Sequence, residues 1–180
     1  MPERITVYEV AVPKELAAGL RATELARAAQ DDAGLNAGLS KLGKSRLLYA
    51  VDQAVNLKNE PSIRIACQMP MVTAEGSKDG NRTTNISYQD VGLIANMEGV
   101  DQPRSSNHGD AHIEVEISTV GHSDVSISPN AKAPLSHKIH QTFDGPFTSG
   151  EPIVLLSVES AADGDTATAY VTRIELARKE

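Results

Sequence analysis

The sequence has 180 residues, with 17 Lys and Arg against 24 Asp and Glu, which gives a formal net charge of −7. This acidic balance, with no basic block, disfavours nucleic-acid binding, because binding requires cationic side chains that neutralise phosphates. The single cysteine, Cys67, excludes a disulfide within the chain, and the strand-like residues around it predict a buried small side chain.

The N-terminus lacks the charged leader and apolar core of a signal peptide. No apolar run approaches the roughly 20 residues that a membrane-spanning helix needs. Two expectations for location follow from the residues alone. The protein is cytoplasmic if the chain is full length, or it is the mature part of an exported protein.

The first quarter of the sequence predicts a strand followed by short helices. Residues 5–12 are rich in β-branched side chains and apolar on both faces, which is typical of a covered strand. Residues 14–42 are rich in Ala, Leu, Glu and Arg and predict two or three short helices. Asp31 or Asp32 is the expected N-cap within this segment, and Gly43 the expected left-handed C-cap. Leucines at helical spacing form a stripe that we expect to pack on a sheet: Leu16, Leu20, Leu35, Leu39 and Leu42.

Seven further segments have the alternation or β-branched content of strands: residues 45–55, 62–68, 83–100, 111–120, 136–143, 152–158 and 166–176. Residues 152–158 are apolar on both faces and predict a central buried strand. Pro70 cannot donate to a ladder, so the residues around it are expected to leave the sheet or lie on its edge. Polar residues predict loops at 73–82 and 99–110, and the prolines of 124–135 predict a segment poor in regular structure. The predicted fold class is α+β, a mostly antiparallel β-sheet or sandwich with a short N-terminal helical segment packed on it.

Residues 83–100 are the most informative stretch, because their apolar set changes parity in mid-strand. Apolar and polar residues alternate up to Tyr88, whereas the apolar set resumes one position out of step at Val91. A one-residue slip turns the second half of a strand inside out, so we expect a bulge or bend near Asp90 that keeps one face inward. Gly92, which has no Cβ, fits that bend or a close backbone neighbour.

The sequence offers no convergent catalytic or metal-binding constellation. Of the five histidines, His137 and His140 lie three apart on a predicted strand, which sends them to opposite faces. His112 and Glu114 share a face, but that face is expected to be solvated. No P-loop, dinucleotide fingerprint or Gly-x-Ser-x-Gly elbow occurs. We therefore expect no enzyme activity, no cofactor and no metal site.

Short motifs along residues 42–176 resemble, in order, the secretin homology domain of bacterial type II and type III secretion channels. The most specific is Tyr-x-Asp-Val-Gly at residues 88–92. The others include a Gly-Lys turn at 42–48, a Pro-Val-like step at 68–73 and a Gly-Glu-x-hydrophobic run at 150–156. The residues that carry the resemblance, all expected to be structural, are Pro70, Tyr88, Asp90, Val91, Gly92, Glu116, Gly150 and Glu151.

The resemblance implies a single secretin-like domain over residues 1–180, with a strand and helices in 1–44 and a β-rich core in 45–180. It implies a structural or assembly subunit of a bacterial secretion or envelope machinery, in the periplasm or outer membrane. The expected partner is the protein itself, in a homo-oligomer formed by strand pairing, with other secretion-system or envelope proteins as further partners. The family's final Gly-Gly is replaced by Leu156-Ser157 in this chain, and membrane insertion is left open.

A second interpretation is a soluble β-rich protein-binding module. In this interpretation the predicted loops at 73–82 and 99–110 are recognition loops, because loops on a rigid scaffold often carry binding residues. Both interpretations assign the protein a binding role rather than a catalytic one.

Overall fold

The computed structural model describes residues 2–54, 62–78, 81–101, 107–128, 131–160 and 164–176. Its three helices and eight strands are, in chain order, β1 (Pro2–Pro13), α1 (Lys14–Ala17), α2 (Ala22–Ala28), α3 (Asp32–Leu42), β2 (Lys44–Ala54), β3 (Ser62–Lys78), β4 (Asn81–Asp101), β5 (His108–Ser128), β6 (Ala131–Thr148), β7 (Pro152–Ser160) and β8 (Thr166–Leu176). The chain therefore has the predicted α+β fold of mostly antiparallel sheet with a few short helices. None of these helices combines the length and hydropathy that crossing a membrane demands.

The chain groups into two compact units. Unit 1 comprises Met1–Pro61, Asn96–Glu114 and Gln141–Glu180, and unit 2 comprises Ser62–Ala95 and Val115–His140. Strands β4, β5 and β6 each contribute residues to both units. This grouping does not test whether residues 1–180 form one secretin-like domain, which stays a prediction.

The first sheet has the strand order β2-β1-β8-β7, and each neighbouring pair in it is antiparallel. β1 and β8 lie inside this order and carry fully buried side chains on both faces: Ile5, Val7, Val10, Val12, Ala169, Val171 and Ile174. This burial confirms the covered strand predicted for residues 5–12.

The strand predicted at residues 152–158 is β7, which stands at one end of that order. The prediction of a central strand is therefore wrong. Ile153, Val154 and Leu155 are nevertheless buried, and α2 packs against β7. Val154 belongs to the helix-covered core, so packing against a helix accounts for its burial without a strand on each side of β7.

The helices cover the face of the first sheet that carries Tyr8 and Val10. Asp31 is the N-cap of α3, where its carboxylate accepts a hydrogen bond of 2.6 Å from the Gly34 N–H. On α3, the leucine stripe has the predicted packing role: Leu35 and Leu39 are fully buried. On α1 the leucine stripe does not pack on the sheet, since Leu16 is 52% exposed. A helix of four residues is too short to present a stripe to the sheet.

Gly43 ends α3, but not in the left-handed conformation that the sequence predicts. Its φ is 166°, which is extended backbone. A Cβ on Gly43 would lie 1.9 Å from the carbonyl oxygen of Ala11, so a side chain does not fit between α3 and β1. The glycine therefore lets the chain pass from α3 directly into β2, which pairs with β1.

The second sheet has the order β3-β4-β5-β6, so strands that are neighbours in sequence are neighbours in space. Two residues separate β3 from β4, six separate β4 from β5, and two separate β5 from β6. Parallel neighbours need a crossover of a dozen or more residues, so these connections require antiparallel pairs. The strands are long, from 17 to 21 residues.

The length of these strands corrects three predictions of irregular structure. The described parts of the loop predicted at 73–82 lie in β3 and β4. The two ends of the loop predicted at 99–110 lie in β4 and β5, and the described parts of 124–135 lie in β5 and β6. Ladder pairing satisfies backbone groups whatever side chains they carry, so polar composition does not exclude a strand. Three short parts of these segments lie outside the described residues: 79–80, 102–106 and 129–130.

Candidate functional site

The Tyr-x-Asp-Val-Gly motif lies on β4 in unit 2, beside β3. Asp90 forms an ion pair with Arg64 of β3, and the Val91 carbonyl accepts a weak bond of 3.7 Å from the Cys67 thiol. These contacts tie β4 to the outer strand of its sheet. Cys67 itself is exposed, so the prediction of a buried thiol is wrong. β3 is an outer strand, and most of its described side chains face solvent.

Gly92 and Pro70 act through the backbone of the same two strands. Gly92 has a φ of 155°, and a Cβ on it would lie 2.0 Å from the Ile65 carbonyl oxygen. This confirms the predicted close backbone neighbour, because any side chain here would push β3 away from β4. Pro70 is exposed on β3, which confirms the edge position that the sequence offered as one of two alternatives.

Three large apolar side chains of β3 and β4 are exposed: Ile65 to 45%, Ile86 to 54% and Tyr88 to 65%. We call these three residues the β3–β4 surface. The alternation up to Tyr88 predicts that this side chain faces inward, which is wrong, since Tyr88 is exposed. Single exposed apolar side chains are common on protein surfaces, so these three by themselves do not identify a binding surface.

Glu116 lies at the centre of an ion-pair network across β5 and β6. One carboxylate oxygen accepts hydrogen bonds from Lys138 Nζ at 2.8 Å and from Ser118 Oγ at 3.3 Å, and the other lies 3.7 Å from His140 Nε2. The hydrogen bond from Lys138 is the main cause of a pKa for Glu116 below its ordinary value, against a weaker opposing effect of burial. A carboxylate held ionised in this way joins two strands and does not serve as a general acid.

Gly150 and Glu151 make the turn from β6 into β7, in unit 1. Gly150 has a φ of 82°, in the left-handed region that favours glycine, and its N–H donates to the Leu176 carbonyl at 2.9 Å. The N–H of Glu151 donates to the Thr148 carbonyl at 3.0 Å. Both residues therefore shape a turn, which agrees with a structural role.

A cavity of about 370 Å³ lies beside this turn, and the chain's two phenylalanines, Phe143 and Phe147, line it. Its polar wall includes His108 and Thr148, whose Nδ1 and Oγ1 atoms are 3.2 Å apart, and the exposed Glu151. The volume is within the range of small-molecule pockets. The Thr148 hydroxyl and the His108 imidazole are within hydrogen-bond distance of each other, but such a pair alone does not make a catalytic site, because group transfer also needs an oriented base and donors around the reacting atom.

Arg173 on β8 is a buried charged residue that the sequence analysis missed, with a side chain only 2% exposed. Its guanidinium donates to the carbonyls of Ala29 at 3.0 Å and Gln30 at 3.2 Å, and to carboxylates of Asp32 at 3.4 Å and Glu175 at 2.8 Å. These bonds fix the junction of α2 and α3 to the sheet. The sequence signal was a lone arginine inside the apolar run of β8, since a buried charge needs partners.

Asp32 extends this network to β1. It accepts a hydrogen bond of 3.1 Å from Thr6 Oγ1 and pairs with Arg4 at 2.5 Å, so it anchors the helices and does not cap one. Burial, and then the nearby Asp32 carboxylate, raise the pKa of Tyr8 on the same strand. We call Arg4, Asp32, Arg173 and Glu175 the Arg173 network.

Metal-ligand geometry does not occur in the part of the chain that the structure describes, where no three His, Cys, Asp or Glu side chains converge. His112 lies 3.4 Å from Glu114, the pair that the sequence places on one face, and 3.9 Å from Asp144. All three are at least one-third exposed, and such contacts contribute little.

Each sheet ends in two outer strands that run in opposite directions. Three antiparallel steps lead from β2 through β1 and β8 to β7, so β7 runs antiparallel to β2. The same holds for β3 and β6 in the second sheet. Outer strands present N–H and C=O groups along one side, which is a template for pairing with another chain.

Neither a protein-family model nor a curated protein matches this sequence.

Proposed function

We propose that this protein is a structural subunit of a bacterial secretion or envelope machinery, similar to secretins, which assembles with copies of itself by strand pairing. It acts by assembly and not by catalysis. The observation that carries the proposal is the opposite direction of the two outer strands in each sheet. Copies in the same orientation can then extend either sheet as a continuous antiparallel sheet.

The number of strands in each sheet matters for this assembly. With three or five alternating strands, the two outer strands would run in the same direction, and copies in one orientation would have to pair in parallel. Parallel pairing is slightly less stable for each residue. With four strands, a head-to-tail contact is antiparallel, and repeated rotation closes such a contact into a ring.

Exposed apolar side chains on the outer strands support the proposal. Three large apolar residues are exposed on outer strands of the two sheets: Leu47 on β2, Val158 on β7 and Ile65 on β3. Single exposed apolar residues are common on protein surfaces. A neighbouring copy that extends a sheet would cover the apolar side chains on the two strands that join. Association would then bury apolar area in addition to forming backbone hydrogen bonds.

The motif order supports the choice of machinery. Tyr88 to Gly92 is the part most similar to secretins, and the Gly-Glu run at 150–156 also resembles them. This similarity is the reason for placing the protein in the periplasm or outer membrane. Other envelope proteins are further partners under this proposal. The protein-binding module is the weaker candidate, because the described parts of its two predicted recognition loops are almost entirely strand.

Size-exclusion chromatography with light scattering tests the proposal, over a range of concentrations and with and without detergent. We expect a mass several times the 19.2 kDa of one chain, and rings in negative-stain images of the same fractions. A strict monomer under all of these conditions contradicts assembly and favours the binding module.

A further inference from the structure

We infer that β2 of one copy pairs with β7 of the next, in the register that places Lys44 opposite Glu159. This inference rests on the proposed function and specifies which edges join. β2 and β7 are the outer strands of one sheet and run in opposite directions. Joining them makes the combined sheet antiparallel throughout.

The register of the sheet shows which residues of its two outer strands lie on one row, meaning a line of directly opposed residues that crosses the strands. Glu159 is opposite Thr168, Thr168 is opposite Ala11, and Ala11 is opposite Lys44. A copy that continues the sheet without stagger therefore brings Glu159 of one copy opposite Lys44 of the next. Directly opposed residues of an antiparallel pair share a face, with Cα atoms about 4.5–5.5 Å apart.

The charges on this row are complementary. Lys44 and Glu159 are exposed, and neither forms an ion pair within the described residues. Arg46, two positions along the same strand, is already paired with Glu9 at 3.1 Å. Opposite charges directly across two strands stabilise the pair, and like charges destabilise it.

The other face of the same two edges is apolar on both sides. Leu47 lies on the row that continues through Tyr8 and Val171 to Leu156. Leu47 is exposed, and so is Val158, two residues beyond Leu156 on the same face. In the interior of the sheet this is the face that the helices cover, where Tyr8 and Val171 are buried. A neighbouring copy would thus continue the helix-covered core on one face and form the ion pair on the other.

Charge reversal tests the register. Lys44→Glu or Glu159→Lys alone places like charges on the row, and we expect each to weaken association by about tenfold. The double variant Lys44→Glu/Glu159→Lys restores opposite charges between neighbouring copies, and we expect its association to return to within about threefold of the wild type. Lys41→Glu and Glu151→Lys, exposed residues away from the row, are the matched controls. Circular dichroism of each variant checks that the chain is folded.

Disulfide cross-linking tests the direction of assembly, in a Cys67→Ser background. Lys44→Cys combined with Glu159→Cys in one chain should give a ladder of covalent oligomers on oxidation, because Cα atoms at this spacing suit a disulfide. Each single cysteine should give no ladder. The control pair Lys44→Cys with Glu151→Cys moves one thiol eight residues along the chain, too far to react in this register.

The outcomes separate the inference from the proposed function. Rescue by the double reversal together with the ladder supports both. A wild type that assembles normally, with no effect of either reversal and no ladder, overturns the β2–β7 pairing and leaves assembly through other edges. Dimers from Lys44→Cys alone indicate a two-fold contact between like edges and also overturn the inference. A monomeric wild type overturns both.

Discussion

The side chains inside the β2-β1-β8-β7 sheet and those of the β3–β4 surface differ in how far they are buried. β1 and β8 have a strand on either side and helices over one face, and most of their apolar side chains are buried. In the β3–β4 surface, by contrast, Ile65, Ile86 and Tyr88 are exposed to solvent. The buried side chains of the first region contribute to stability, whereas the exposed ones of the second are apolar area that folding does not bury.

The largest expected loss of stability comes from Arg173. Replacing Arg173 with Ala removes one ion-pair partner from Asp32 and from Glu175, and it takes the guanidinium donor away from the buried Ala29 carbonyl and the part-buried Gln30 carbonyl. The free energy of unfolding should therefore fall by about 3–5 kcal/mol. Arg46→Ala is the control, since Arg46 forms an exposed pair with Glu9 and its loss should cost less than about 1 kcal/mol. Urea denaturation followed by circular dichroism measures both. Equal losses for the two arginines would contradict the distinction between buried and exposed networks.

Leu39 and Ile86 compare the two regions directly. Leu39→Ala empties a fully buried position and should lower the free energy of unfolding by about 3 kcal/mol. Ile86→Ala removes a side chain of similar size that is 54% exposed, and should change it by less than about 0.5 kcal/mol in the monomer. The same denaturation experiment, at a concentration where the chain is monomeric, checks both values. A large loss at Ile86 would mean that the β3–β4 surface is part of the monomer's core.

Gly92 shows that β3 and β4 are closely paired next to the exposed side chain of Ile65. Gly92→Ala should lower the free energy of unfolding by about 2 kcal/mol, because the new Cβ meets the Ile65 carbonyl and the positive φ is strained. Gly164→Ala is the matched control, with no atom within 4 Å of the added Cβ. Hydrogen exchange of β3 amides locates the effect, and unchanged protection in the Gly92 variant would count against the close contact.

Replacing Glu116 should give the smallest change in the free energy of unfolding, and this change depends on pH. Its pKa lies below the ordinary 4.5 because of Lys138, so its contribution to stability is present above about pH 4.5 and is lost as the pH falls through the folded-state pKa. Glu116→Gln should therefore lower the free energy of unfolding by less than about 1 kcal/mol at pH 7, and the difference from wild type should disappear in acid. Glu114→Gln, on the same strand, controls for the loss of one charge. A difference that persists unchanged at low pH would contradict this role of the ion pair.

Local pattern was sufficient to predict the helices, the buried β1 and the tight approach at Gly92. It was not sufficient for the length of β3 to β6, because polar residues there pair in ladders that only the whole sheet specifies. It also placed β7 in the centre of a sheet, since an apolar sequence indicates that the faces of a strand are covered and not how many strands pair with it.

The Arg173 network could not be predicted for a related reason. Arg173 and Asp32 are 141 residues apart in the chain, and no local spacing relates them. The arginine's apolar surroundings indicate that it needs a partner, but only the packing of the helices on the sheet identifies which carboxylates and carbonyls supply it.

Light scattering of the wild-type chain over a wide concentration range decides whether copies assemble through their outer strands. We expect a mass that rises to several times 19.2 kDa as concentration increases, and a return towards one chain when Glu159→Lys is introduced. A mass of 19.2 kDa at every concentration would contradict this assembly.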